Sequence, residues 1–176
     1  MRSNASRPAF RRVIGIIVAG LAVTASTGFS VPVDAVAGIS VSDDGHLLGV
    51  MMVCGHQIDG ATVYVDSEDV NKQKTVGSWT ADRPLTAGLA TWNLQAPSPG
   101  WAVDRSLTRL TPKTTYILYG GTKDNSWSSR SVSFDLTYLD QLSPGTVRYD
   151  DISADGEESA ITVPLAEFKA MACKDR

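Results

Sequence analysis

The residues of this 176-residue chain that could do chemistry are two histidines, several adjacent pairs of acids and four tryptophans. Hydrolysis by a serine nucleophile needs a histidine base, and only His46 and His56 are present. No Gly-x-Ser-x-Gly elbow accompanies them. A zinc site is not predicted either, because a cysteine pair oxidised to a disulfide cannot ligate zinc and two histidines alone do not make a ligand set. We therefore predict that both histidines are surface residues and that the protein has no metal site and no cofactor.

The acid pairs are Asp43-Asp44, Asp150-Asp151 and Glu157-Glu158. Glycoside hydrolysis needs two carboxylates that face each other about 5–9 Å apart across a cleft, one of them with a raised pKa. Adjacent acids in turn-like segments usually face water instead. We therefore predict no catalytic residues and a protein that is not an enzyme. A small secreted hydrolase that uses Asp150 or Asp151 is the alternative hypothesis.

One acidic segment, Asp151-x-Ser153-x-Asp155-Gly156, resembles the first half of a calcium-binding loop. Such loops supply oxygen ligands at positions one, three and five, followed by a glycine for the sharp turn. The acid expected at position twelve is absent, since Thr162 stands there. An acidic loop that faces water is the preferred interpretation, and calcium binding by Asp151, Ser153 and Asp155 is the alternative.

The tryptophans are the main candidates for ligand contact, because an exposed indole can stack on a sugar ring or on a partner's side chain. Trp79 and Trp92 lie inside predicted strands and are expected in the core, whereas Trp101 and Trp127 fall in predicted loops. The competing interpretation, preferred for each loop tryptophan taken singly, is that the indole folds inward and closes one end of the fold. The predicted ligand-binding residues are Trp101, Asp124, Asn125 and Trp127.

The chain has two cysteines, Cys54 and Cys173, which are 119 positions apart. An isolated pair in an exported protein usually forms a disulfide. In the chain-entropy model such a long loop gives about 4–5 kcal/mol of stability. We predict a structural disulfide between them that fastens a C-terminal helix to a central strand.

The N-terminal region has the pattern of a secretory leader, with four arginines in the first twelve positions followed by an apolar stretch over 13–25. Residues 35–37, Ala-Val-Ala, offer a small-x-small cleavage site, which would make Gly38 the first mature residue. Ser30 marks a second candidate cut. An uncleaved membrane anchor over 13–31 is the alternative. We predict a secreted or cell-envelope protein.

Removal of residues 1–37 leaves 12 basic and 18 acidic residues, a net charge of −6. A chain with this balance repels phosphate backbones, so nucleic-acid binding is not predicted. No polybasic run is present that would attract an anionic membrane. The predicted partner is an unknown protein or a cell-wall polysaccharide, with no membrane contact beyond the leader.

The elements that must position these residues are mostly short strands, separated by turns at the spacing typical of sandwiches and barrels. The apolar run over 47–54 is expected to be buried on both faces, and Asp59-Gly60 indicates a tight turn. Residues 101–109 are predicted as a loop. Short helices are predicted after the N-cap Asp135 and after Pro164. The predicted strands are Leu47–Cys54, Ala61–Val65, Thr75–Thr80, Leu89–Leu94, Thr114–Gly120 and Ser131–Leu136.

The segment Leu-Thr-Pro-Lys-Thr-Thr-Tyr over 110–116 resembles the entry to strand F of fibronectin type III domains, whose pattern is Leu-x-Pro-x-Thr-x-Tyr. The resemblance implies a tyrosine corner, in which Tyr116 folds back over Leu110 and hydrogen-bonds the preceding loop. The strand order is similar over about residues 39–136, although the family's strand B tryptophan is replaced by Met51 and Met52. The resemblance therefore implies a divergent fibronectin type III-like, or immunoglobulin-like, β-sandwich.

The whole chain is also similar to small exported bacterial proteins of unknown function, in Cys54-Gly55, Asp59-Gly60 and the segments 123–127 and 143–149. We predict a leader or anchor over 1–37, a β-sandwich over 38–138, and an extension over 139–176 whose short helices pack on the sandwich. The predicted function is an exported, non-catalytic binding domain at the cell envelope or outside the cell. An accessory subunit that covers a strand edge of a larger extracellular complex is a further alternative.

Overall fold

The computed structural model describes residues 30–152 and 156–174. Within them the chain forms eleven strands and two short α-helices, which confirms the mostly-β prediction. The strands are β1 Val33–Val41, β2 Leu47–Val53, β3 Ile58–Val65, β4 Thr75–Leu85, β5 Gly88–Asn93, β6 Trp101–Arg105, β7 Tyr116–Gly121, β8 Ser128–Arg130, β9 Val132–Phe134, β10 Thr146–Ile152 and β11 Glu158–Pro164. The helices are α1 Leu136–Leu139 and α2 Leu165–Met171.

All eleven strands are joined by hydrogen bonds into one sheet that curls until it is nearly a barrel. The main path is β11-β10-β1-β8-β7-β3-β4-β6, with β2 and β5 continuing from the other edge of β1 and β9 pairing with β7. The pairing of β1 with β8 is parallel and the other pairings are antiparallel. Val33–Val36 pair with β8, whereas Ile39 pairs with Arg148 of β10. Strand β1 is therefore the junction at which the parts of the sheet meet.

Strands β1 and β2 are buried on both faces. Alternate side chains of a strand point to opposite sides, so one strand can contribute to two cores. Ala35 of β1 and Met51 of β2 face the main core, whereas Val36 and Val50 face a second, smaller core. The prediction for the apolar run over 47–54 is thereby confirmed.

The second core is covered by the C-terminal part of the chain. Val147 and Tyr149 of β10 and Phe168 of α2 are fully buried in it, and the rings of Tyr149 and Phe168 meet edge to face with centroids 5.0 Å apart. Helix α2 lies where a terminal helix was predicted. The extension predicted after residue 138 contains two strands as well as α2, since β10 and β11 pair with each other and β10 joins β1.

The predicted cleavage site before Gly38 lies inside strand β1. Ala35, Val36 and Ala37 are inaccessible to solvent inside β1, and this strand pairs with β2 from residue 35 onward. A cut after Ala37 would divide a central strand, whereas a cut near Ser30 leaves it whole. Most of the predicted leader lies outside the described residues. Among the described helices, none is long and apolar enough to span a membrane.

The predicted disulfide is present between Cys54, just after β2, and Cys173, just after α2, with the two Cα atoms 5.6 Å apart. It joins the last turn of the C-terminal segment to the strand that this segment covers. The prediction that the bond fastens a terminal helix to a central strand is confirmed.

The predicted tyrosine corner is present. The backbone N–H of Thr111 donates a hydrogen bond of 2.9 Å to the hydroxyl of Tyr116, and Leu110 packs against the main core. The predicted N-cap is present as well, since the carboxylate of Asp135 accepts the backbone N–H of Tyr138 at 3.0 Å. The tyrosine corner and the N-cap were therefore both predictable from a few neighbouring residues in the sequence.

Three tryptophans form the centre of the main core. Trp92 stacks on Trp101 with centroids 4.3 Å apart and meets Trp79 edge to face at 6.4 Å. The ring of Trp92 lies across Gly49, where a Cβ atom would come within 2.4 Å of it. Trp79 and Trp92 are core residues as predicted. The loop prediction for Trp101 is wrong, because this residue begins β6, pairs with Ala81 and is 8% exposed.

We expect the double substitution Cys54→Ser, Cys173→Ser to lower the free energy of unfolding by about 2–5 kcal/mol, because the unfolded chain gains the freedom that the bond removes. Denaturant unfolding of both proteins, with and without reductant, measures this. Reductant should destabilise the wild type to the level of the variant and leave the variant unchanged. Equal midpoints for the oxidised wild type and the variant would contradict the role given to the bond.

Candidate functional site

Three of the four predicted contact residues lie in one turn, formed by residues 122–127 between β7 and β8. The carboxylate of Asp124 accepts the backbone N–H of Ser126 at 3.0 Å, and Asn125 adopts a left-handed backbone with φ of 57°. The backbone N–H of Trp127 donates to the hydroxyl of Thr122 at 3.0 Å. Hydrogen bonds from Ser126 hold the pKa of Asp124 below its ordinary value. Asp124 and Asn125 therefore shape the turn that presents Trp127.

The indole of Trp127 stacks on the imidazole of His56, with ring centroids 3.5 Å apart and planes inclined by 17°. His56 belongs to the loop between β2 and β3, and its side chain is 53% exposed, which agrees with its prediction as a surface residue. We call this pair the His56–Trp127 platform. Two flat rings from segments far apart in the sequence thus meet at one surface of the protein, and each covers one face of the other.

The platform is anchored by Asp34 of β1, whose side chain is only 16% exposed. Its carboxylate accepts the backbone N–H groups of Gly55, at 2.9 Å, and of His56, and Nδ1 of His56 lies 3.0 Å from Oδ2. Burial raises the pKa of Asp34, but the hydrogen bonds from His56 and Gly55 outweigh it and hold this pKa below 3.8. Asp34 was missed in the sequence because it lies in the predicted leader.

An open cavity of about 530 Å³ lies beside the platform. The turn between β4 and β5 forms its opposite wall with Thr86 and Ala87, and the side chains of Gln57 and Ser126 also line it. The cavity thus combines flat rings with an amide and hydroxyls that can donate and accept hydrogen bonds. Such a surface suits a ligand that has both a flat apolar face and a polar edge.

Trp101 is close to this site but is not part of it. A second cavity, of about 560 Å³, is lined by Trp101 and by Thr86 and Ala87, which also line the first. The two cavities therefore lie on either side of the turn between β4 and β5. Because the ring of Trp101 packs on Trp92, only the edge of the indole reaches the surface.

The Asp34–His56 pair has the orientation of a catalytic carboxylate and its histidine base. A nucleophile would have to hydrogen-bond the other nitrogen of His56. Among the described residues, no serine, threonine or cysteine side chain forms such a bond. The arrangement positions the imidazole ring but supplies no partner for acyl transfer.

Asp150 and Asp151, the two acids of the hydrolase alternative, differ in their burial and in their contacts. They are neighbours in β10 and therefore point to opposite faces of the sheet. Asp150 is buried and accepts the backbone N–H of Ser133 at 3.0 Å, and burial raises its pKa. Asp151 lies 3.8 Å from the guanidinium of Arg130. The two carboxylates do not face each other across a cleft.

Of the calcium candidates, Ser153 and Asp155 lie outside the described residues. Asp151 is within them, and its described charged partner is Arg130. Within the described parts of the chain, no group of three or more histidine, cysteine or acidic side chains is arranged to hold a metal ion.

No known family model matches this chain, and neither the curated proteins nor the solved structures contain a significant match. The resemblance to fibronectin type III domains therefore rests on the tyrosine corner and the strand pattern. None of these comparisons supports the predicted similarity to small exported bacterial proteins.

We expect Trp101→Ala and Trp127→Ala to separate a core indole from a surface indole. Trp101→Ala should cost about 3–5 kcal/mol of stability, because it leaves a cavity beside Trp92. Trp127→Ala should cost less than about 2 kcal/mol, since the ring is partly exposed and stacks on an exposed histidine. Denaturant unfolding of the two variants measures the difference. Equal losses would show that Trp127 is as much a core residue as Trp101.

The lowered pKa of Asp34 makes part of the stability dependent on pH. A depressed carboxyl pKa contributes stability above the unfolded value, and this contribution is lost as the pH falls through the folded value. From about pH 5 to about pH 2.5, the wild type should therefore lose more stability than Asp34→Asn. Thermal melts over this range test it, with Asp43→Asn, in an exposed turn, as the control. Parallel losses in the wild type and Asp34→Asn would contradict the role of Asp34.

Proposed function

We propose that this protein is a non-catalytic binding domain whose ligand contacts the His56–Trp127 platform. The observation that carries the proposal is the anchoring of the exposed His56 ring, which stacks on Trp127, by Asp34, a poorly exposed carboxylate on a central strand. Rings held in this way lose little further freedom on binding, and preorganisation of that kind strengthens association. Loops held on a rigid scaffold are a common location for binding sites.

The ligand class that this surface supports best is a carbohydrate, in particular a cell-wall polysaccharide. A sugar ring has an apolar C–H face that packs on an aromatic ring and hydroxyls that hydrogen-bond to amide and hydroxyl groups. His56 and Trp127 offer the first kind of contact, and Gln57, Thr86 and Ser126 offer the second. The acidic balance of the chain argues against a polyanionic ligand.

We propose further that the fold is a divergent fibronectin type III-like or immunoglobulin-like sandwich. Three features support this: the tyrosine corner at Tyr116, the antiparallel set β1-β2-β5, and the set β6-β4-β3-β7 with β9 beside it. The parallel pairing of β1 with β8 joins the two sets at one edge. The C-terminal segment after residue 139 is then an addition that covers the outer face of the first set.

Export to the cell envelope or the medium is part of the proposal. The basic and apolar pattern of residues 1–25 supports a leader, and a Cys54–Cys173 bond is typical of an oxidising compartment. A cut near Ser30 would retain Asp34 and the whole of β1.

A pull-down on insoluble cell-wall material and a panel of polysaccharides tests the proposed function. We expect the wild type to bind, Trp127→Ala to lose at least about 10-fold in affinity, and Tyr138→Ala to bind as the wild type does. Tyr138→Ala is the matched control, because Tyr138 is also an aromatic residue with an exposed side chain but lies on α1, outside the platform. Thermal melts establish that each variant is folded. Failure of the wild type to bind any polysaccharide, or full binding by folded Trp127→Ala, would overturn the proposal.

A further inference from the structure

Another depression, distinct from the two cavities described above, lies on the outer face of β3, β4 and β7, on the other side of the 122–127 turn from the platform. It has a volume of about 210 Å³ and is open to solvent. Thr62 of β3 lies between Ser78 of β4 and Tyr119 of β7, and these three side chains point away from the main core. Next to them Gly121 carries no side chain, and a Cβ atom there would come within 3.2 Å of the Tyr119 hydroxyl. We call this depression the polar trough.

Two carboxylates stand at the ends of the polar trough. At one end the carboxylate of Asp59 accepts the backbone N–H of Lys123 at 3.0 Å, and at the other end Asp104 accepts the hydroxyl of Thr80 at 2.7 Å. Among the described residues, each carboxylate accepts through one oxygen only, which leaves the second oxygen able to accept from a ligand. The trough thus offers carboxylates, hydroxyls and the ring of Tyr119.

This chemistry fits a neutral pyranose ring. Its hydroxyls can donate to the carboxylates and accept from the hydroxyls of Thr62 and Ser78, and its C–H face can pack on the ring of Tyr119. Two carboxylates in one small depression disfavour phosphate or other anions. The volume is below the roughly 300–1,000 Å³ of pockets that enclose a drug-sized ligand, so it suits one ring that lies in an open groove.

The polar trough and the platform share their supporting segments. Lys123 lines the trough and Trp127 forms the platform, and both belong to the 122–127 turn. Likewise Asp59 lines the trough, whereas Gln57, two residues earlier, lines the cavity beside the platform. The two sites therefore share the 122–127 turn and the segment over 57–59 as supports.

We infer that the protein binds a neutral glycan chain of several rings, with one ring on the His56–Trp127 platform and another in the polar trough. This inference rests on the proposed function and adds a second subsite and a preference for chain length. When two subsites hold one ligand, the second contact is intramolecular, and the affinity increases with the length of the ligand until both are filled.

Calorimetric titration with soluble neutral glycans tests the inference. The probes are β-1,4-linked glucose, mannose and N-acetylglucosamine and α-1,4-linked glucose, each as the disaccharide and the hexasaccharide. For at least one series we expect the wild type to bind the hexasaccharide at least about 10-fold more tightly than the disaccharide. The trough variant Thr80→Val, Asp104→Ala should lose at least about 5-fold for the hexasaccharide and little for the disaccharide.

The matched control is Thr75→Val, Asp66→Ala, which removes the same two kinds of side chain outside the trough. It should bind both glycan lengths as the wild type does. Full hexasaccharide binding by the trough variant, with loss only in Trp127→Ala, would overturn the second subsite and leave the proposed function intact. Binding of the wild type to wall material but to none of the neutral series would likewise overturn the inference alone. Binding to neither would overturn both proposals.

Discussion

The constraint on which this structure depends is the burial of β1 and β2 on both faces. Both faces of such a strand pair must pack against other elements, and most of the remaining strands and helix α2 do so. Strands β3 to β9 close the main core with the tryptophan cluster around Trp92, and β10, β11 and α2 close the second core around Tyr149 and Phe168. The Cys54–Cys173 bond joins the covering segment to the covered strand. The C-terminal segment is therefore part of the fold rather than an appendage.

The candidate site depends on the same two strands. Asp34 lies near the start of β1, and His56 follows directly after β2 and the disulfide, so both ends of the Asp34–His56 contact are fixed by the buried pair. Trp127 comes from a turn that its own Asp124 and Thr122 side chains hold in shape. The stack of His56 on Trp127 is thus supported by contacts in two separate segments of the chain. That support is what distinguishes the platform from tryptophans that fill space in the core.

Local patterns in the sequence predicted much of the fold, whereas contacts between distant segments were not predictable. The apolar run over 47–54, the tyrosine corner at Tyr116 and the N-cap at Asp135 each depend on a few neighbouring residues. Ala35 and Ala37 look like a cleavage site because both are small, but both side chains are buried in the main core. The sequence predicts a loop at Trp101 because this is the only buried residue of β6. The turn predicted at Asp59-Gly60 is wrong, because both residues lie within β3. The Asp34–His56 contact spans 22 positions and leaves no local pattern.

The central claim is that ligand binding takes place on the two sides of the 122–127 turn. Backbone amide chemical shifts, recorded by nuclear magnetic resonance as a bound glycan is titrated in, test it most directly. The account predicts that the largest changes fall on Gln57 and Ser126 beside the platform and on Thr62 and Gly121 in the polar trough. Changes concentrated instead around Tyr138 and Arg148, where helix α1 meets β10, would contradict it.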